Sequence, residues 1–152
     1  MIMSEDERQF WLICERPENW VIDKQQGFTR FGLKKRYKKS ADKVNIGDFV
    51  FTYIGGKKSC LADIREIIAP GTKPFRSISD YDAAFDIFLE TKPYLILPKE
   101  NWIPFRQIKD KLEMTRGKEH WYHCFRASIR KISNFDGEKL LEEVKSRYHS
   151  IE

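Results

Sequence analysis

The segment "GDFVFTYIGGKKSCLADIREI", residues 47–67, limits the possible folds more than any other part of the sequence. Gly47 and Asp48 are typical turn residues, and the run that follows them is rich in aromatic and β-branched side chains. That run ends at Gly55-Gly56, and a second apolar run begins soon after the two glycines. The pattern predicts a β-hairpin and therefore a β-sheet at the centre of the fold.

Shorter elements are predicted before the hairpin. The apolar run "FWLIC", residues 10–14, is followed by a proline-containing turn, which favours a buried strand. The segment "PENWVIDKQ" has Pro17 at a helix start and Gly27 just beyond its end, so it predicts a helix. A short strand at "TRFGL" and one helical turn at "SADKV", with Ser40 as N-cap, complete this half.

The second half of the chain mixes strands and helices. "FDIFLETKPYLIL" predicts one bent strand or two, because Pro93 cannot donate to a sheet ladder. "NWIPFRQIKDKLE" predicts a short helix that begins at Pro104, and "EHWYHCFRASIRKI" predicts an extended segment. "NFDGEKLLEEVKSRY" is typical of an amphipathic helix. The element order predicts an α+β fold in which short helices flank a small, strongly bent β-barrel.

Composition narrows the class of protein. The 152 residues suit one domain, spanning residues 1–152 with a core at about 10–148, and 41% of them are hydrophobic. No apolar run approaches the roughly 20 residues that span a bilayer, and "MIMSEDERQF" lacks the order of a secretory signal. We therefore expect a cytoplasmic protein without membrane partners. The cysteines, Cys14, Cys60 and Cys124, are widely spaced, which favours buried reduced thiols.

A basic stretch follows the first predicted helix. The chain has a formal net charge of +5, and no acidic residue occurs between Thr29 and Ala41. The basic side chains of this stretch are Arg30, Lys34, Lys35, Arg36, Lys38 and Lys39. Such residues can contact the phosphates of a nucleic acid, and the interleaved Tyr37 could stack on a base. A solvated turn that keeps the protein soluble is the alternative interpretation.

The ordered segments "FWLICERPENW", "FGLKKRYKKSADKVNIGDFVFTYIGG" and "CLADIREI" resemble the EVE domain of the PUA-like superfamily. The C-terminal "NWIPFRQIKDKLEMTRGKEHWYHCF" also resembles the closing part of that family, and the match covers roughly residues 10–132. The EVE domain is similar to the YTH domain, whose members hold a methylated base in an aromatic cage. The resemblance therefore implies a PUA-like barrel that reads nucleic-acid bases, modified or not.

The same resemblance implies a site around Phe31 and Gly32. Phe31 would stack on a base, and Gly32 would leave room for the backbone to approach it. The family usually has Trp in place of Phe31, and Asn or His where this chain has Arg36-Tyr37, so the identity of the base stays open. A core phenylalanine beside a bulge glycine is the alternative interpretation.

Four further residues are candidates for the same base-binding pocket. Asn19 matches the YTH asparagine that touches the base edge, and an amide can both donate and accept hydrogen bonds. Tyr53 ends a strand next to Gly55-Gly56, at the expected pocket mouth, and Phe75 lies in a loop where readers place a second aromatic wall. Trp121 is the fourth candidate, as a pocket wall. Each of the four could instead serve only packing or solvation.

The segment "HWYHC", residues 120–124, raises the question of a metal or a Cys–His pair. In an extended segment His120 and His123 point to opposite faces, as do His123 and Cys124. We therefore expect no metal, cofactor or catalytic residues here, and the sequence offers no P-loop or dinucleotide-binding motif elsewhere.

These observations favour a non-enzymatic module that binds DNA or RNA through an aromatic pocket beside a basic face. Two alternatives stay open: a binder of, or enzyme acting on, a free nucleoside or other planar anion, and a protein–protein adaptor. The sequence does not settle the base, the modification or the oligomeric state.

Overall fold

The computed structural model describes residues 7–69 and 85–151. Its strands are β1 (Phe10–Glu15), β2 (Arg30–Leu33), β3 (Phe49–Ile54), β4 (Cys60–Ala69), β5 (Ile87–Ile96), β6 (Ile103–Pro104) and β7 (Ile129–Ile132). Its α-helices are α1 (Pro17–Gln25), α2 (Lys38–Ala41) and α3 (Asn134–His149). Short 3₁₀ helices occupy Lys35–Tyr37, Lys99–Asn101, Phe105–Gln107, Lys109–Lys111 and Trp121–Phe125.

The strands form one mixed sheet in the order β2-β5-β4-β3-β1-β7, with the short β6 paired to β4. β1 runs parallel to β3, and the remaining pairs are antiparallel. The sheet curls into a half-barrel, so the predicted α+β class with a bent sheet is confirmed. The predicted hairpin is β3 and β4, and the predicted strand at "FWLIC" and helix at "PENWVIDKQ" are β1 and α1.

Each face of the sheet carries its own core, because side chains alternate along a strand. Trp11 and Ile13 lie on one face, in a cluster that includes Phe31. Phe10 and Leu12 lie on the other, in a larger cluster that includes residues of α1, α3 and the 3₁₀ segments. Both faces of β1 are therefore buried, which explains its continuous apolar sequence.

The Gly47-Asp48 turn predicted from the sequence is held by one buried carboxylate. Asp48 accepts hydrogen bonds from the Trp11 indole N–H at 2.9 Å and from the backbone N–H groups of Gln9 and Asn45 at 3.0 and 2.8 Å. The same carboxylate therefore ties the start of β3 to the start of β1, its parallel neighbour.

The first of the two alternatives for "FDIFLETKPYLIL", one bent strand, is confirmed: β5 continues through Pro93 with a shift in register, because the irregularity removes the need for its missing N–H. Three other sequence predictions are wrong in detail. The turn expected at "SADKV" begins at Lys38 with Tyr37 in the N-cap position, rather than after Ser40. Residues 105–111 form two 3₁₀ helices instead of one short helix, and "WYHCF" is a 3₁₀ helix rather than an extended segment.

A buried ion cluster fixes α1 to the sheet. The Arg65 guanidinium is fully buried and contacts Glu15 and Asp23 at 2.9 Å each, and Asp63 at 3.2 Å. Asp63 also accepts a hydrogen bond from the Trp20 indole at 2.8 Å. The cluster thus joins β4 to the end of β1 and to two residues of α1, and the buried charge of Arg65 is compensated by ion pairs.

Three carboxylates face one guanidinium in this cluster, and burial there changes the proton affinities of two of them, Glu15 and Asp23. Burial raises the pKa of Glu15 well above its usual range, and the neighbouring Asp23 adds to the rise. Burial also raises the pKa of Asp23, although Arg65 opposes the change. Glu15 therefore holds its proton to a higher pH than an exposed glutamate does.

In the part of the chain that the structure describes, none of the helices has the length and apolarity needed to cross a bilayer.

Candidate nucleic-acid interface

An aromatic cavity of about 420 Å³ opens where the β3–β4 hairpin turn meets the 3₁₀ helix at Trp121–Phe125. Its lining is formed by Tyr53, Gly55, Gly56, Ser59, Trp121, Tyr122 and Phe125. This volume lies within the roughly 300–1,000 Å³ typical of small-molecule sites. The cavity can therefore receive a flat organic group of about the size of a base.

The aromatic rings of this cavity support one another. Tyr53 stacks on Phe125, with 4.1 Å between ring centroids and 14° between planes. Trp121 stacks on Phe105 at 5.7 Å, and Phe105 meets both Tyr53 and Phe125 edge to face. Tyr53 and Phe125 are buried, whereas Trp121 is half-buried and Tyr122 is exposed. Trp121 and Tyr122 therefore offer ring surface to a ligand, and the buried rings form the floor.

A second cavity, of about 390 Å³, lies beside the aromatic one. Ser59 and Trp121 line both cavities, and the remaining lining of the second is Lys57, Lys58, Pro104 and Arg106. Among the described residues that line it, three are cationic and none is acidic. Trp121 therefore separates an aromatic space from a positively charged one.

Backbone hydrogen bonds hold the two cavities together. The Gly55 N–H donates to Glu15 O at 2.9 Å, which anchors the start of the hairpin turn to the end of β1. Gly56 adopts φ of +72°, a conformation that favours glycine, and the Ser59 hydroxyl donates to the Gly56 carbonyl at 3.2 Å. The Phe105 N–H then donates to Ser59 O at 2.9 Å. Arg106 is thereby placed next to the hairpin lysines, although it lies far from them in sequence.

Ionisable side chains lie in and near the aromatic cavity. Burial raises the pKa of Tyr53, whose hydroxyl hydrogen-bonds with the Ser59 side chain, so the phenol stays neutral at physiological pH. His120 and His123 are exposed, and their rings stack at 5.6 Å between centroids. The 3₁₀ helix brings the two histidines together, whereas an extended segment would have separated them. Across residues 7–69 and 85–151, no group of three or more His, Cys, Asp or Glu side chains is arranged to hold a metal.

The two adjoining cavities together form one cleft. Two of the residues predicted from sequence meet in this cleft, namely Tyr53 and Trp121. Phe31 lies elsewhere: it is 4% exposed and packs in the core on the other face of the sheet. Phe31 pairs with Leu89 of β5. The cleft lies near Asp63 of β4, which pairs with Ile96 of β5. Leu89 and Ile96 are seven residues apart along β5. That separation is roughly 20 Å along the strand at about 3.3 Å per residue.

Two other residues predicted for the pocket, Gly32 and Asn19, are not among the described lining residues of either cavity. A Cβ on Gly32 would come within 2.5 Å of the Phe85 ring, so that ring fills the space beside the glycine. Asn19 lies half-buried in the first turn of α1. Phe75 falls outside the described residues.

The basic stretch forms a separate surface that extends from β2 into α2. Lys34, Lys35, Arg36, Lys38 and Lys39 are exposed, and Arg30 is half-buried. The Lys35 backbone N–H donates to Asp86 at 2.8 Å, and Lys38 pairs with Asp42 at 2.8 Å. The Tyr37 side chain packs against the core, and a hydrogen bond from the Ser128 backbone lowers its pKa. Its ring is thus partly committed to the fold.

Sequence reasoning did not identify the cations of the cleft. "YIGGKKS" is interpreted from sequence as a simple hairpin connection, and Arg106 as a helix residue. The available signal is the pair Lys57-Lys58 directly after two glycines and the predicted pocket residue Tyr53. Arg106, Tyr122 and Phe125 have no such signal, because they reach the cleft through tertiary contacts.

No protein-family model matches the sequence, and no curated protein matches it either. Solved structures do share its fold. A hypothetical protein from Leishmania major has a TM-score of 0.69 at 13% identity, over 95% of this chain and 99% of that one. The Pho92 YTH domain, solved in complex with m6A, has a TM-score of 0.66 at 16% identity, over 95% and 90% of the two chains.

A third neighbour is the YTH domain of the Zygosaccharomyces rouxii MRB1 protein, solved in complex with N6-methyladenosine RNA. Its TM-score is 0.63 at 12% identity, over 95% of this chain and 89% of that one. Sequence identities this low support a shared architecture but do not identify a ligand. The chain thus has the α+β fold that is found in YTH domains.

Proposed function

We propose that this protein is a non-enzymatic module that binds single-stranded RNA by holding one base in the aromatic cavity. The observation that carries the proposal is the pair of adjoining cavities, one aromatic and one cationic, on either side of Trp121. Nucleic acids combine flat bases with negative phosphates, and proteins that bind single strands use aromatic platforms within positively charged grooves.

The fold supports the same conclusion independently. YTH domains with this architecture have been solved in complex with RNA and with N6-methyladenosine. The sequence resemblance to EVE domains, relatives of YTH domains in the PUA-like superfamily, extends the proposal to a modified base as the preferred ligand. Holding a base in a pocket requires it to leave its stack, which costs least in a single strand.

The test is a binding titration with fluorescently labelled oligonucleotides. The set contains single-stranded and duplex RNA and DNA of one sequence, each with an unmodified or an N6-methylated adenine. We expect single-stranded RNA to bind best. Replacing Trp121 with Ala should weaken its binding about 5- to 150-fold, since stacking contributes about 1–3 kcal/mol per base.

A matched control separates stacking from general loss of aromatic surface. Phe135 is 44% exposed and lies at the start of α3, so Phe135→Ala should leave RNA affinity unchanged. Asn19→Ala tests the alternative placement of the base beside α1. Loss of RNA affinity in Asn19→Ala with none in Trp121→Ala would show that the base lies by α1 and not in the cleft.

A further inference from the structure

We propose that the cationic cavity beside Trp121 is a phosphate subsite, which binds the phosphate attached to the nucleotide whose base fills the aromatic cavity. This inference rests on the proposed function, and it names the smallest ligand of the site as a nucleotide rather than a nucleoside. It also assigns phosphate binding at the cleft to Lys57, Lys58 and Arg106 instead of the basic stretch at residues 30–39.

The charge of the subsite is suited to an anion. Lys57, Lys58 and Arg106 are all exposed, and each lines the cavity. Three cationic side chains surround a cavity of about 390 Å³ and produce a positive potential there, whereas the uncharged aromatic cavity beside it produces little. A guanidinium can additionally form two parallel hydrogen bonds with one phosphate.

The position of the subsite matches the covalent structure of a nucleotide. Ser59 and Trp121 belong to both cavities, so a ligand that stacks on Trp121 lies next to the cations. The hydrogen bond from Phe105 N–H to Ser59 O keeps Arg106 opposite the hairpin turn. The protein backbone that shapes the base pocket therefore also holds the cations beside it. A nucleotide whose base stacks on Trp121 places its phosphate next to these cations.

The basic stretch at residues 30–39 is poorly placed for the same phosphate. Two strands, β5 and β4, lie between β2 and β3 in the sheet, and the register places Phe31 roughly 20 Å along β5 from the cleft end. A phosphate joined to a base in the aromatic cavity cannot span that distance, so a nearer cation set must neutralise it.

The experiment compares adenosine, adenosine 5′-monophosphate and inorganic phosphate by two-dimensional NMR of the tryptophan indole N–H signals. The indole N–H groups of Trp11, Trp20 and Trp102 are buried and donate to Asp48, Asp63 and Leu97. Trp121 is the remaining tryptophan of the four in the sequence, and it is half-buried, so its signal reports on the cleft. We expect the monophosphate to bind at least about tenfold more tightly than the nucleoside, a preference equal to about one charge-assisted hydrogen bond.

Two triple variants with equal charge loss decide where the phosphate binds. The subsite variant replaces three cations with alanine, namely Lys57, Lys58 and Arg106. The control replaces three exposed cations of the basic stretch, namely Lys35, Arg36 and Lys39. The subsite variant should abolish the preference for the monophosphate, and the control should retain it.

RNA binding provides a second readout. The slope of log affinity against log salt should fall by about 0.7 in the subsite variant for each phosphate no longer contacted. An equal reduction in both triple variants would overturn the subsite while leaving base binding intact. Equal shifts of the Trp121 signal by inorganic phosphate and the monophosphate, with none by adenosine, would show an anion site to which the base contributes nothing, and would overturn the assignment of the site to a nucleotide. If both Trp121→Ala and the subsite variant bind RNA as tightly as the wild type does, the proposed function is overturned as well.

Discussion

Replacing Arg65 with Met should strongly destabilise the protein, because Arg65 is the only cation in direct contact with the three carboxylates of its cluster among the described ion pairs. Breaking a buried ion pair by removing one partner costs about 3–5 kcal/mol. Asp63 keeps its bonds from Trp20 and Thr52 at 2.8 and 2.6 Å, which limits the loss there. We therefore expect a decrease of about 4 kcal/mol in the free energy of unfolding at pH 8, measured by urea denaturation.

The destabilisation should depend on pH, and its sign follows from the raised pKa values of Glu15 and Asp23. An acid whose pKa is raised on folding stabilises the protein below its unfolded pKa, and that contribution is lost as the pH rises through the folded pKa. Arg65 lowers the pKa of both groups, so its removal raises them further. The loss in Arg65→Met should therefore shrink from pH 8 to pH 5. The change should be about 1.4 kcal/mol per pH unit wherever the folded variant binds one more proton than the folded wild type.

Arg16→Met is the matched control. The Arg16 side chain is 81% exposed and lies 3.9 Å from Glu18, so its removal should change stability by less than about 1 kcal/mol. Adding Glu15→Gln to Arg65→Met should recover part of the lost stability at pH 8, because one excess carboxylate disappears. A loss below about 1 kcal/mol in Arg65→Met, equal at pH 5 and pH 8, would refute the assignment of the cluster as a structural ion network.

Two other substitutions and one thiol reaction test the fold. Asp48→Ala should lower the free energy of unfolding by about 2–4 kcal/mol in urea, because it leaves the buried Trp11 indole and two backbone N–H groups without their acceptor; an unchanged midpoint would contradict this. Gly137→Ala should lower the melting temperature, because its Cβ would overlap the Phe10 ring, and a variant as stable as the wild type would show that the ring can move. Burial raises the pKa of Cys14 to about 12, so its thiol should react far more slowly than Cys124 with a disulfide reagent at pH 8, as peptide mapping can measure. Equal rates would argue against the burial.

Local sequence signals were sufficient for the elements that depend on nearby residues. Gly55-Gly56 between two apolar runs defines the hairpin, and Pro17 with Gly27 frames α1, because turn and cap preferences act over a few residues. The 3₁₀ helix at Trp121–Phe125 could not be found in this way. Its apolar pattern resembles that of a strand, and its conformation depends on packing against Phe105 and Tyr53.

The candidate site was predictable only in part for the same reason. Tyr53 is next to a glycine turn, so its place at the end of a strand followed from sequence. Arg106 is brought to the hairpin by pairing between β4 and β6, a two-residue strand without a local signature. Arg65 appears as an ordinary charged strand residue until Glu15 and Asp23, which are distant in sequence, surround it.

The most direct measurement is the affinity of one short single-stranded RNA for the wild type, Trp121→Ala and Phe135→Ala at a fixed salt concentration. Binding that Trp121→Ala weakens about 5- to 150-fold and that Phe135→Ala leaves unchanged would place the base on Trp121. Equal affinities for all three proteins would show that the aromatic cavity does not hold a base.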